Sequence, residues 1–122
     1  MSNAQLIAER YVALWNERDA QKRRRDIEAF FAPAAEHYVK GREAIGYDAL
    51  EARIIGSHEK NVRDAGNIFR AAPGAQQLRD VVIFDWEMTP GGNPDTVSAI
   101  GREVITLDPE GRAISDFMFI VS

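Results

Sequence analysis

Residues 78–121 read LRDVVIFDWEMTPGGNPDTVSAIGREVITLDPEGRAISDFMFIV, and this stretch decides the fold. Three runs rich in β-branched and aromatic residues, Leu78–Thr89, Thr96–Leu107 and Ala113–Val121, are separated by two clusters of turn formers. Those clusters are Pro90-Gly91-Gly92-Asn93-Pro94 and Asp108-Pro109-Glu110-Gly111. Their residues tolerate or impose turn dihedrals, so both clusters reverse the chain. Connections this short join antiparallel neighbours, and the stretch predicts a three-stranded meander.

Working back toward the N-terminus, Asn67–Ala71 is a further candidate strand, ended by the Pro73-Gly74 turn. Before Gly66 the period becomes helical. Ile7, Tyr11, Leu14 and Trp15 recur at helical spacing and share one face. Asp19 is placed to cap a second helix running through Phe31, which buries Ile27, Phe30 and Phe31 and stops at Pro33. Glu36–Val39 reads as a short strand before a turn at Gly41, and Glu43 to Arg63 reads as a third helix closed by Gly66. Helices first and strands afterwards, without alternation, predict an α+β domain, a single one spanning 1–122.

Composition narrows the function classes. The formal charge is −4, which argues against a nucleic-acid partner. The basic run Lys22-Arg23-Arg24-Arg25 lies beside Asp19 and Asp26 with no aromatics interleaved, and is read as a solvated helix face. No apolar run approaches the roughly 18 residues of a membrane span, and no secretory pattern opens the chain. The expectations are no membrane partner and a cytoplasmic location. Without cysteine there are no disulfides, thiolate zinc sites or thiol nucleophiles. His37 and His58 have no HxH or HExxH spacing, so neither a metal nor a cofactor is expected. Gly91-Gly92 precedes no helix, and no Gly-x-Ser-x-Gly elbow exists.

The order helix, helix, short strand, helix, curved sheet resembles the nuclear transport factor 2-like (cystatin-like) superfamily. That group includes ketosteroid isomerase, limonene epoxide hydrolase and the SnoaL-like polyketide cyclases. The resemblance is carried by Arg10-Tyr11-Val12-Ala13, Asn16 and Asp19, then Phe31-Ala32-Pro33-Ala34-Ala35, then Gly41 with Ala44-Ile45. It continues in Gly101, Glu103 and Leu107-Asp108-Pro109-Glu110-Gly111-Arg112-Ala113-Ile114. It implies a cone-shaped curved antiparallel sheet wrapped around the N-terminal helices and enclosing an apolar pocket. It does not imply one activity, because many chemistries share the fold.

Within such a cone, polar residues on apolar faces are the candidates. Tyr11 resembles the tyrosine that donates an oxyanion hydrogen bond in ketosteroid isomerase, and is equally readable as an amphipathic core tyrosine. Glu103, eight residues before Gly111, matches the second oxyanion acid of that enzyme and the acid/base aspartate of SnoaL-like cyclases. Strand alternation sends Arg102 and Glu103 to opposite faces, with Glu103 expected inside. Asp116 shares a face with Ile114, Met118 and Ile120, so it must be protonated, paired or exposed. Together the two acids suggest a carboxyl pair with separated pKa values. The position matching the catalytic aspartate of ketosteroid isomerase is Val39. A histidine, His58 or His37, could substitute as base, although a lone histidine on an apolar face is more often a satisfied structural residue.

The expected function is cofactor-free acid/base chemistry, isomerase-, cyclase- or hydrolase-like, on a small hydrophobic cyclic or carbonyl compound. Glu103 or Asp116 would move the proton, Tyr11 would donate, and His58 would assist. Trp15, His37, Trp86, Phe69 and Met118 would line the substrate site. The rival reading is a non-catalytic ligand-binding or dimeric association module. Both faces of the last strand are apolar, which predicts a homodimer through the outer sheet face.

Overall fold

Asp19 shows how closely local chemistry sets the helices. Its side chain accepts from the Gln21 and Lys22 amides at 2.9 and 3.0 Å. This starts helix α2 (Ala20–Phe30) with three residues between it and the end of helix α1 (Asn3–Asn16). The computed structural model describes residues 3–122. After α2 come strands β1 (Phe31–Val39) and β2 (Arg42–Ile45), then helix α3 (Tyr47–Ser57), which widens into a π-helical segment over His58–Asp64. Strands β3 (Asn67–Ala71), β4 (Gln76–Leu78), β5 (Val81–Pro90), β6 (Ala99–Leu107) and β7 (Ala113–Ile120) complete the chain.

The sheet order is β2-β1-β7-β6-β5-β3, with β4 paired to β5. The expected meander is β5-β6-β7, antiparallel throughout. The α+β class and the curved sheet are as expected, but β1 joins β7 in parallel. The chain can do this because α3 with its π-helical continuation and the rest of the sheet separate β1 from β7. Helix α1 packs on β3 and β5, and α2 and α3 pack on β1. At the end of α1, Asn16 pairs with the backbone of Phe69 through both halves of its amide, at 2.7 and 2.9 Å. The core is the apolar inner face of the sheet and the facing sides of the helices, with Tyr11, Ile27, Leu50, Ile54, Val82 and Ile105 among its most buried members. Among the described residues no helix is long and apolar enough to cross a membrane.

Several boundaries differ from the sequence expectation, each for a local reason. The second helix ends at Phe30 and Pro33 lies inside β1, not beyond a helix. The β1–β7 register breaks between Phe31 and Glu36, and a proline without N–H fits such an interruption. Residues 43–45 are strand rather than helix, because Gly46 takes φ +85° and the helix can only begin after it. The expected strand Leu78–Thr89 is two strands, split where Arg79 turns at φ +53°. The basic run is also not uniformly solvated. Arg23 is buried, with Nε and a terminal nitrogen donating to the Glu17 carbonyl at 3.0 and 2.6 Å. It thereby satisfies a carbonyl left free at the end of α1.

Candidate functional site

Strand register assembles the polar cluster. His37 on β1 lies directly beside Asp116 on β7. Asp116 faces Ile105 and Met118 faces Glu103, so the two acids sit one diagonal apart on the same side of the sheet. Trp86 faces Gly101, again one diagonal from Glu103. Long side chains reach across such diagonals. Gly101 is needed for this row: a Cβ there would lie 2.0 Å from Cζ2 of Trp86, so only glycine lets the indole cross β6. Helix α1 then lowers Tyr11 onto the row.

The contacts form one continuous chain. The Tyr11 hydroxyl is 2.8 Å from Glu103 Oε1 and 2.8 Å from Asp116 Oδ2. His37 Nδ1 is 2.8 Å from the same Asp116 oxygen, and Trp86 Nε1 donates to Glu103 Oε2 at 2.7 Å. Tyr11, His37, Glu103 and Asp116 are each at most 1% exposed.

Counting donors assigns the protons. An indole N–H only donates, so Glu103 Oε2 is an acceptor and any carboxyl proton sits on Oε1. A phenol carries one hydrogen but here meets two carboxyl oxygens, so it donates to one and accepts from the other. The arrangement that satisfies every donor runs from Glu103 O–H to Tyr11, and from Tyr11 O–H to Asp116. His37 Nδ1–H supplies the second donor to Asp116. Burial, then the neighbouring Asp116 charge, holds the Glu103 carboxyl well above its ordinary range, in agreement with a protonated Glu103. Burial and the two acids likewise push the Tyr11 phenol up, which keeps it protonated.

Two atoms of this cluster, Asp116 Oδ1 and His37 Nε2, are buried with no hydrogen-bond partner among the described residues. His37, Glu103 and Asp116 also each offer a ligating atom within 4.8 Å of the others, a grouping invisible in the sequence spacing because it spans three strands. Hydrogens from Tyr11 and Trp86 already address the carboxyl oxygens, so the set suits proton sharing better than cation binding.

Above the cluster opens a cavity of about 290 Å³. Tyr11 and Trp86 form its boundary with the cluster, and Trp15, Phe69 and Met118 are among its apolar walls. Four of the five expected substrate-site residues, Trp15, Trp86, Phe69 and Met118, therefore line it. The fifth, His37, does not; it lies behind, on Asp116. Among the expected catalytic residues Tyr11 alone touches the cavity, and Glu103 and Asp116 are reached through it. His58 is elsewhere: its Nδ1 meets the Trp15 carbonyl at 2.9 Å, and it neither lines the cavity nor joins the cluster. Val39 is buried core on β1.

The sequence reading passed over a polar stripe on α3 and the segment after it. Arg53, Gly56, Ser57 and Lys60 all line the cavity, at spacings of three, one and three. That helical spacing was the available signal. Arg42, at the start of β2, lines the cavity as well.

No protein-family model matches the sequence, and no curated protein matches it significantly. Solved structures do. A SnoaL-like family protein from Agrobacterium tumefaciens is 25% identical with a TM-score of 0.88, covering 100% of both chains. A SnoaL-like protein of unknown function from Burkholderia thailandensis is 14% identical with a TM-score of 0.73, over 100% of this chain and 99% of that one. A polyketide cyclase candidate from Sinorhizobium meliloti is 14% identical with a TM-score of 0.68, over 97% of this chain and 100% of that one. Element order, curved sheet and these likenesses agree: the chain has the nuclear transport factor 2-like, cystatin-like fold and resembles SnoaL-like proteins.

Proposed function

We propose that the protein is a cofactor-independent acid/base enzyme acting on a small hydrophobic, carbonyl-bearing or cyclic compound held in the cavity. The observation that carries this reading is the buried chain of exchangeable protons, Glu103–Tyr11–Asp116–His37, whose second member, Tyr11, is the one that faces the cavity. Tyr11 is the group that meets the substrate. When its hydroxyl turns from Asp116 to a substrate oxygen, it gives up its hydrogen there and takes the Glu103 proton from behind. On the return step Tyr11 takes a proton from the substrate and hands one back to Glu103, while Asp116, held by His37, keeps its negative charge and turns the Tyr11 hydroxyl back to its resting position. The transfer inside the chain moves one proton along the existing 2.8 Å contact between Glu103 and Tyr11. The A. tumefaciens relative is named as a candidate isomerase and the S. meliloti one as a candidate cyclase, and both names suit proton transfer without a cofactor.

One observation favours a second reading: both carboxyls are screened from the cavity by Tyr11 and Trp86. A protein that binds a ligand without converting it would share that geometry. Turnover separates the two. With cyclic ketones and polyketide-like substrates, the enzyme reading expects product whose rate falls about 10²–10⁴-fold in Glu103→Gln and Asp116→Asn. Binding without turnover across the panel would leave the second reading. On the outer sheet face Phe117, Phe119 and Val121 are exposed at 43%, 56% and 48%. This supports association of two copies through that face, and light scattering of the wild type and Phe119→Glu tests it.

A further inference from the structure

We infer that the cavity selects an anionic ligand, a one- or two-ring compound carrying a carboxylate or a comparable negative group; this rests on the pocket reading above and names its substrate class. The cavity wall holds three cations, Arg42, Arg53 and Lys60, and no aspartate or glutamate. None of the three has a carboxylate partner among the described residues, whereas Arg24, Arg63, Arg70 and Arg102 all do. In a chain of net charge −4, unpaired cations gathered around one cavity mark a site for negative charge.

The deepest of the three is Arg53. Its guanidinium lies over the Trp15 ring, 5.0 Å from the centroid, so stacking fixes its plane. Among the described residues its one polar contact is a weak one, from a terminal nitrogen to the Met118 sulfur at 4.0 Å. Arg53 Nε and Trp15 Nε1 are both buried donors without an acceptor, and both side chains line the cavity. Ser57 adds a third: its oxygen accepts from Asn61, which leaves its own hydrogen to give. A cavity wall with unused donors and no matching acceptors is complementary to an acceptor-only group, and a carboxylate is one. The apolar remainder, with Trp15, Trp86 and Phe69, suits a ring, and the 290 Å³ volume sits at the small end of ligand pockets, about 300–1,000 Å³.

Opposing charge exists and is screened. Asp116 is the ionised acid nearest the cavity, but it spends its Oδ2 on Tyr11 and His37 and lies behind Tyr11. Glu103 is neutral in the proton arrangement derived above, and His37 is tied to Asp116. The cations face the cavity directly and these groups do not.

Matched probes test this without knowing the natural ligand. Titration calorimetry compares 2-naphthoate with neutral 2-naphthamide, and benzoate with benzamide, on the wild type at low and moderate salt. The expected result is at least tenfold tighter binding of each carboxylate, shrinking as salt rises. Arg53→Met should erase that preference while amide binding persists. Because Arg53 also packs on Trp15, Lys60→Met serves as a second variant, expected to weaken the carboxylates severalfold with an unchanged melting curve. Equal or tighter binding of the amides would overturn the anion preference and leave the pocket reading standing. Binding of none of the four probes at millimolar concentration would remove the pocket reading and the preference with it.

Discussion

The protein buries polar side chains in two different ways. At the ends of the helices, Arg23 and His58 are buried and meet backbone carbonyls, those of Glu17 and Trp15. Under the cavity, Tyr11, His37, Glu103 and Asp116 are buried and meet one another. A carbonyl can only accept, so a donor fixed to it has nothing to exchange. A phenol between two carboxyls has two proton placements, and a group with two placements can move a proton. The first arrangement closes helix ends; the second holds two buried atoms without partners among the described residues and a hydroxyl with two proton placements. The difference between them separates scaffold from candidate machinery better than burial does.

Removing Asp116 is the strongest way to break this comparison. Asp116→Ala leaves Tyr11 O–H and His37 Nδ1–H pointing at a hole with no acceptor. Breaking one side of a buried pair costs about 3–5 kcal/mol, and urea unfolding is expected to show a loss of that size. A loss no larger than that of a helix-end variant would erase the distinction between the two kinds of buried polar group. Next in size is Gly101→Ala. The new methyl collides with the Trp86 ring, so the indole must leave its place and surrender the bond to Glu103 Oε2. The expected cost is about 1–3 kcal/mol, with a shift in tryptophan emission. Unchanged emission would show that Trp86 does not depend on the glycine.

Glu103→Gln sharpens the comparison through pH. Glutamine keeps an oxygen to accept from Trp86 and gains an N–H that donates where the carboxyl proton did, so it imitates protonated Glu103. In the wild type the folded carboxyl holds its proton to higher pH than the unfolded one, whose ordinary value is 4.5. The native state therefore binds more protons than the unfolded state above that point, and wild-type stability falls as pH rises toward the raised folded value. One such group changes stability by at most about 1.4 kcal/mol per pH unit. Denaturation at a series of pH values should show the wild type losing stability relative to Glu103→Gln above about pH 4.5, and the two curves running parallel below it. Parallel curves throughout would mean that Glu103 is not neutral when folded.

The fold was legible because its signals are local. The two turn clusters around β6, the cap at Asp19 and the strand at 67–71 each lie in consecutive residues, and the structure has them where they were read. Asp116 stood out for a related reason: strand alternation puts it on an apolar face, visible in one strand. Glu103 was reached through its spacing to Gly111 and the family resemblance. The partnership of His37 with Asp116 was not legible, since it depends on a parallel pairing between strands 79 residues apart. Nor was β2, whose helical-looking residues are overruled by Gly46 and by pairing with β1. The cationic wall of Arg53 and Lys60 was not legible, since which side of a helix faces a cavity is a property of packing.

His58→Gln is the smallest effect and the cleanest control on that lesson. In sequence His58 sits on the apolar side of its helix with Ile54 and Ile55, which made it a candidate base. In the fold its ring nitrogen is committed to the Trp15 carbonyl, which fixes it as a donor holding the end of α1 against the segment after α3. Glutamine can still present an N–H to that carbonyl with poorer geometry, so the loss should be about 0.5–1.5 kcal/mol. Turnover and its pH profile should stay as in the wild type, because His58 touches neither the cavity nor the proton chain. An altered pH profile with the fold intact would return His58 to the role of base, and would mean that a backbone-tied histidine can be released to act.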